Sequence, residues 1–510
     1  MLRRTLHAAN AVFSGYVIAR VGSLVLVPLF LRYWSANLYG EYLALFAMVN
    51  YLNTLNIGVH SATVNRLTQA YVKRNFDEYR RVQHSALAFY IVLAAIVTVV
   101  IAAVVWFLPI PQWIGLQITT RSTATIVIIL LTSYVLWAMP MRLIVSTYQT
   151  LGNLARSYWI LNIQQIAVAS LSAVILVLSG GMRSIAILQV LSVLVIGSFV
   201  LVDLRRRFPE IIPGFSKASF AVLKELSSPS ILFALLLVGN LIAYEGSILT
   251  ISAVMGGLAV AVFSVSKSII DVIRQGLYGI SLSLCPDLAR MEALGEFEKL
   301  RKVHRMVVAA TSAITLAFVA SVWYEGPQII SVWTRGRIEP DLILLRLLLV
   351  LIAFQTPWAT SSTVATATNR HNVQAVGYFF AATLGIALVA TLVHRLGTWA
   401  APIGLTIGEA ICCYHFVIKA TCQMIGESYA AFALRFWMGF VVVSAAVLIT
   451  GSIVHNQMPG LMLLRWIVMG TLNLIVAAAC SWIVWLKPED RSLLLPKFRL
   501  VFASESAKAA

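Results

Sequence analysis

Stretches of about twenty apolar residues, the length that crosses a bilayer as an α-helix, follow one another along this whole chain with only short polar breaks. About fourteen are present, at approximately 9–31, 40–65, 86–109, 122–147, 157–179, 183–203, 228–252, 256–285, 306–324, 341–366, 374–394, 400–421, 433–454 and 462–486. No break exceeds roughly twenty residues, so no soluble domain fits on either side and whatever the chain does happens in or beside the bilayer. Of the 510 residues, 60% are hydrophobic and 11% charged, against about 25% charged in a soluble protein. The chain reads as an all-α integral membrane protein of about fourteen transmembrane helices. The fourth, eighth and tenth stretches are long enough to tilt or kink, and Pro140, Pro229, Pro286, Pro357 and Pro402 mark expected bends or ends. Arg3 and Arg4 before an apolar run mimic a signal peptide. Arg20 interrupts that run and no small-residue cleavage site stands out, so the segment reads as a retained first helix.

The net charge of +18 reads as a topology signal. With the N-terminus inside, the outer loops hold only Arg32, Arg121, Arg183, Arg335, Arg337 and Arg395. The inner segments gather Lys73, Arg74, Arg80 and Arg81, then Arg205, Arg206 and Arg207, then Lys299, Arg301, Lys302 and Arg305. Both termini are therefore expected in the cytoplasm. A nucleic-acid partner would need basic residues gathered on one soluble face, and no such face exists. Cys285, Cys412, Cys413, Cys422 and Cys480 form neither a disulfide framework nor a metal-ligand spacing, and no metal or cofactor is expected.

Two inner loops resemble each other. Asn75–His84 (NFDEYRRVQH) aligns with Glu296–Arg305 (EFEKLRKVHR), an offset of 221 positions, 297 minus 76 at Phe76 and Phe297. At that offset Asn50 meets Asp271 and Asn53 meets Arg274. The simplest reading is two six-helix bundles, 1–203 and 223–424, joined by an inner linker, 204–222, and followed by two additional helices in 425–486 and a cytoplasmic tail, 487–510. Six spans return a chain to its starting side, so the halves would be parallel repeats.

The eighth stretch carries charge where a membrane helix should not. Lys267, Asp271 and Arg274 fall at i, i+4 and i+7 and share one helical face, widened by Ser264, Ser268, Gln275 and Tyr278. A charge at the bilayer centre costs about 2.5–3.5 kcal/mol on insertion scales, so the trio must face partners or a water-filled cavity. Arg20 and Glu409 also fall near mid-membrane, and Glu245 nearer the outer side. This mid-membrane set has more basic than acidic members, as an anionic head group requires. Arg20, Lys267, Asp271, Arg274, Asn50 and Asn53 are the expected substrate-binding residues of a central cavity. Glu245 and Glu409, without a basic neighbour in sequence, are the candidates for ion coupling. Arg142, Arg346 and Arg465 lie close enough to helix ends to snorkel. His60 and His415 read as hydrogen-bonded packing residues.

Certain motifs point further. Pro28–Tyr42 (PLFLRYWSANLYGEY), Leu55-Asn56-Ile57-Gly58 followed by Arg66, and Tyr148–Gly152 leading into Arg156-Ser157-Tyr158 resemble the turns of the Wzx-type polysaccharide flippases. That family shares a superfamily with MATE multidrug exporters and the lipid II flippase. The resemblance covers the whole chain in pattern and about its first 160 residues in motif, and those motifs are structural turns. It implies a non-enzymatic protein of the inner membrane that translocates an undecaprenyl-diphosphate-linked oligosaccharide from the cytoplasmic to the periplasmic leaflet by alternating access. Its implied setting is cell-surface polysaccharide synthesis, beside membrane lipids, a polysaccharide polymerase and a chain-length regulator. One alternative is an ion-coupled drug or metabolite antiporter of the same superfamily. The other is a membrane-embedded polymerase or glycosyltransferase, which would need a long catalytic outer loop; the longest here, about 110–121 and 325–340, hold only Glu325 and Glu339 as acidic residues.

Overall fold

A computed structural model describes residues 2–56, 59–226, 231–368, 370–460 and 462–489; Gly58, Pro229 and most of the expected tail lie outside the described residues. The regular structure of the described residues is all helical, with no strand among them. In chain order the helices are α1 (Leu2–Tyr33), α2 (Ala36–Asn50), α3 (Val59–Val72), α4 (Phe76–Phe107), α5 (Ile110–Trp113), α6 (Arg121–Thr150), α7 (Leu154–Val177), α8 (Met182–Arg207) and α9 (Phe220–Leu226). They continue as α10 (Ile231–Met255), α11 (Gly257–Ala293), α12 (Phe297–Thr334), α13 (Leu342–Ala367), α14 (Asn372–Leu396), α15 (Ala400–Glu409), α16 (His415–Ile425), α17 (Tyr429–Gln457) and α18 (Met462–Val484). Among the described residues, eleven helices or joined helices are long and apolar enough to cross a membrane. The chain is an all-α, multi-pass membrane protein.

Helices pack into two compact units, residues 1–264 with 333–338, and residues 265–332 with 339–510. In the first, α6 is the central post: its buried face includes Ile128, Leu131, Leu136 and Leu143, and α2, α3, α4, α7 and α8 pack around it. Helix α1 lies along α7, and α10 along α2. In the second, α13 has the equivalent place and packs against α15 and α16. A polar ladder joins α13 to α12: Thr311 pairs with Thr360 at 3.1 Å, Thr315 with Thr356 at 3.2 Å and His304 with Ser361 at 2.9 Å. Small hydroxyls of this kind let membrane helices approach closely while satisfying one another. Shifting the first residues of α2, α4 and α6 (Ala36, Phe76 and Arg121) by 221 positions lands on Gly257, Phe297 and Leu342, the first residues of α11, α12 and α13.

Certain helices depart from the expected spans. The second stretch is not one helix: α2 stops at Asn50, a 3₁₀ turn covers Tyr51–Asn56, and α3 begins at Val59. Polar side chains account for the break. Asn53 Nδ2 donates to the Asn50 carbonyl at 3.1 Å and Thr54 Oγ1 to the Tyr51 carbonyl at 2.7 Å, while Asn56 Oδ1 accepts from the Tyr90 hydroxyl at 2.5 Å. Local side-chain bonds of this type compete with the helical ladder, and a short 3₁₀ piece inside a span is a common hinge. Helix α12 runs to Thr334, beyond the expected end at 324, so Glu325 belongs to a helix and not to an outer loop. Pro140, Pro286 and Pro357 lie inside α6, α11 and α13 without ending them. Pro402 sits in the first turn of α15, where a missing N–H costs least.

Candidate functional site

The charges of the eighth stretch lie on α11 and satisfy one another along the helix. Lys267 Nζ is 2.8 Å from Asp271 Oδ2, and Arg274 Nη2 bonds to Asp271 Oδ1. The i/i+4 and i/i+3 spacings bring both cations onto one carboxylate. Side-chain exposures of 18%, 15% and 28% for Lys267, Asp271 and Arg274 show that the trio is not sealed in a core.

Glu409 belongs to the same unit and is almost fully buried, at 7% exposure. Gln355 Nε2 donates to its Oε1 at 2.7 Å and Trp358 Nε1 to its Oε2 at 3.0 Å. Arg274 lies within electrostatic range of this carboxylate. Glu409 ends α15, and a π-helical turn, Ala410–Tyr414, follows at once before α16; such turns interrupt helices mainly at functional positions. Gln355 and Trp358 are site residues that no sequence signal marks, because they come from α13 and meet Glu409 only through the fold.

The remaining candidates lie in the first unit. Asn50 Nδ2 donates to Glu245 Oε1 at 3.0 Å, and the Tyr51 hydroxyl to the Leu241 carbonyl at 3.2 Å. Asn53 turns back onto Asn50, as described above. The structure thus joins an expected binding residue, Asn50, to an expected coupling residue, Glu245, at the break between α2 and α3. Arg20 is half-buried on α1. Among the described residues no group of His, Cys, Asp and Glu is arranged to hold a metal ion.

A second buried charge cluster was not expected. Glu325 on α12 is 2% exposed and is met from two other helices. Arg465 Nη2 lies 2.8 Å and Trp466 Nε1 2.9 Å from its Oε2, and His455 Nδ1 2.7 Å from its Oε1. Arg465 also donates to Gln328 Oε1 at 2.6 Å. The snorkelling expected of Arg465 is therefore replaced by a buried ion pair. Arg346 instead places its guanidinium 4.8 Å from the Trp323 ring, and Arg142 is exposed. His415 pairs with the Tyr429 hydroxyl at 2.8 Å.

The motif residues turn out to be joints. Glu41 is wholly buried and accepts from the backbone N–H groups of Gln117, Ile118 and Thr119 at 2.6, 2.7 and 2.8 Å. Gly40 is required beside it, since a Cβ there would stand 1.7 Å from the Gly257 carbonyl. Tyr39 and Tyr42 stack on Phe30, and Trp34 Nε1 donates to the Gly180 carbonyl at 3.0 Å. In the other motif Arg156 lies 2.8 Å from Asp203, whose carboxylate also takes the Tyr148 hydroxyl and Arg207.

No protein-family model matches the sequence, and no curated protein matches it significantly. Solved structures do match. The lipid II flippase MurJ in an inward closed conformation superposes with a TM-score of 0.68 at 11% identity, covering 93% of this chain and 98% of that one. An inward-facing multidrug resistance MATE family transporter of the MOP superfamily gives 0.63 at 17% identity, covering 83% and 94%. A MATE bound to the ligand MaL6 gives 0.54 at 15% identity. The chain has the fold these proteins share.

Proposed function

We propose that the protein is a flippase that moves an undecaprenyl-diphosphate-linked oligosaccharide from the cytoplasmic to the periplasmic leaflet of the inner membrane for cell-surface polysaccharide synthesis. The observation that carries this reading is the α11 trio: two cations on one carboxylate, partly exposed, in a helix of membrane-spanning length. Ionisable groups inside a membrane protein are costly and mark substrate pathways, which is why this partly exposed set supports a ligand. The ligand would be anionic: Lys267 and Arg274 hold a diphosphate, Asp271 orients them, and Arg20, Asn50 and Asn53 contribute further polar contacts.

Two further observations bear on this reading. MurJ, described as a lipid II flippase, covers about a tenth more of the chain than the MATE transporter does, 93% against 83%. The coincidence of helix starts at an offset of 221 supports parallel halves, 1–203 and 223–424, working by alternating access, and the distribution of Lys and Arg supports cytoplasmic termini. Glu409, which accepts from Gln355 and Trp358, and Glu245, which accepts from Asn50, are the proposed sites of ion coupling. A polysaccharide polymerase and a chain-length regulator are the proposed partners. Deleting the gene should make lipid-linked oligosaccharide accumulate on the cytoplasmic side while its synthesis continues. Unchanged surface polysaccharide with altered drug sensitivity would instead favour the antiporter.

A further inference from the structure

Helix α4 carries a buried histidine whose ring is taken up on both sides by the segment that joins the two expected repeats. His84 is 4% exposed. Lys217 N–H donates to its Nδ1 at 3.2 Å, and its Nε2 lies 3.1 Å from the Ile212 carbonyl. The two contacts fix the ring proton: Nδ1 accepts, so the hydrogen sits on Nε2 and is given to Ile212. One position on, Ser85 Oγ accepts from Ser219 N–H at 2.8 Å. Gly214 passes close to the ring, and a Cβ there would crowd Nε2 at 3.3 Å. The held segment, 212–219, lies between two apolar anchors. Ile211 before it is fully buried and Val222 after it is 3% exposed, both in the core around α4 and α6.

This arrangement needs a neutral imidazole. A proton added at Nδ1 removes the acceptor, sets N–H against the Lys217 N–H, and places a charge where almost no surface remains. Imidazoles change charge between about pH 8 and pH 5. The charges around His84 are committed elsewhere. Asp77 of α4 pairs with Arg80 and Lys217, and Arg66 of α3 pairs with Glu78 and with Glu225 of α9. Arg81 of α4, Glu210 of the turn before Ile212, Lys224 of α9, His60 of α3 and Arg142 of α6 are the other charged residues and histidines of the elements packed around this part of α4. None of them bonds to the ring. Carboxylates ordinarily titrate near 4, below the interval in which an imidazole takes its proton.

We propose that His84 is a proton-released clasp: the neutral ring holds residues 212–219 against α4, and the protonated ring lets them go between the anchors Ile211 and Val222. By linkage the docked segment is favoured at higher pH and given up as pH falls. The second half of the chain supplies a contrast. At the offset of 221, 305 minus 84, Arg305 of α12 stands where His84 stands on α4. It too holds the segment that follows the sixth expected span of its half, through Glu427 at 2.9 Å, and Arg301 adds a bond to the Ile425 carbonyl at 3.0 Å. A guanidinium keeps its charge throughout the imidazole range. The join between the repeats therefore has the fastening that mild acid undoes, and the join to the last two helices does not. Release of the segment is independent of what the protein transports; an effect on transport rests on the alternating-access reading.

The test is hydrogen–deuterium exchange of the full-length protein in nanodiscs at pH 7.5 and pH 5.5, with rates corrected for the intrinsic effect of pH. Wild-type amides in 212–219 should be protected at pH 7.5 and lose about tenfold or more of that protection at pH 5.5, as release linked to one proton requires. Residues 139–150 of α6 should not change. His84→Asn, which cannot take a proton, should lose the pH response, and His84→Ala should exchange fast in 212–219 at both pH values. Should neither variant fold, the wild-type series still decides. Exchange of wild-type 212–219 that is independent of pH overturns the proposal. A wild-type response that survives in His84→Asn overturns it too, since another group would then be the switch. Loss of protection that spreads to 139–150 would report general unfolding and count equally against it.

Discussion

The α11 trio and the Glu325 cluster place the same chemistry, carboxylates with guanidinium groups, inside long helices of one unit. They differ in reach and in sealing. Lys267, Asp271 and Arg274 all belong to one helix and keep 15–28% of their side-chain surface. Glu325, Arg465, His455 and Trp466 come from three helices, and the Glu325 side chain is 2% exposed. The second cluster reads as the fastening of α17 and α18 to α12, and the first, being more exposed, as the place where the proposed ligand binds.

That contrast breaks first at Arg465. Removing one partner of a buried pair strands the other charge at a cost of about 3–5 kcal/mol. Arg465→Ala should sharply lower the amount of folded protein and its melting temperature in detergent, and Glu325→Gln with Arg465→Met should recover most of the loss. On α11 the expectation is reversed: Lys267→Ala or Arg274→Ala should leave stability within about 1 kcal/mol of wild type, because Asp271 keeps one partner. A loss at α11 as large as at Arg465 would erase the distinction.

A smaller effect is expected at a joint. Gly40→Ala pushes a Cβ against the Gly257 carbonyl, and overpacking of this kind costs about 1–3 kcal/mol. Thermal unfolding of the variant measures it. The smallest effect concerns Glu427, between α16 and α17. Burial pushes its carboxyl up, but His304 at 3.9 Å and Arg305 at 2.9 Å more than offset this and hold it below the usual carboxylate range. A carboxyl depressed by folding stabilises above its unfolded value, about 4.3 for Glu, and that contribution disappears as pH falls through the lower folded value. Glu427→Gln should therefore melt below wild type at pH 7, with the gap closing on acidification. A gap independent of pH would remove the ionic contribution.

The difference between the two clusters also explains what was legible in the chain. The trio is visible because its spacing of four and three is itself the contact, helix geometry being local. The Glu325 cluster is invisible because Glu325 lies 130 or more positions from His455, Arg465 and Trp466, and Arg465 near a helix start has the same look as a snorkelling residue. Asn50, Asn53 and Thr54 read as a polar face, and the fold also uses them to end α2, since a side chain able to reach a ligand can reach its own backbone as well. The Gly40-Glu41-Tyr42 motif is conspicuous, yet its reason, three amides at Gln117–Thr119, is supplied only by the packed structure. Glu409 stands out as an acid in an apolar stretch, whereas Gln355 and Trp358, which hold it, do not.

The most direct test is a translocation assay with purified protein in vesicles, following a fluorescent undecaprenyl-diphosphate-linked sugar from one leaflet to the other. Lys267→Ala with Arg274→Ala should reduce the rate at least tenfold while circular dichroism and melting temperature match wild type, and Lys267→Arg should restore most of it to a Lys267→Ala background. Full translocation by the well-folded double variant would contradict the assignment of α11 as the diphosphate-holding wall.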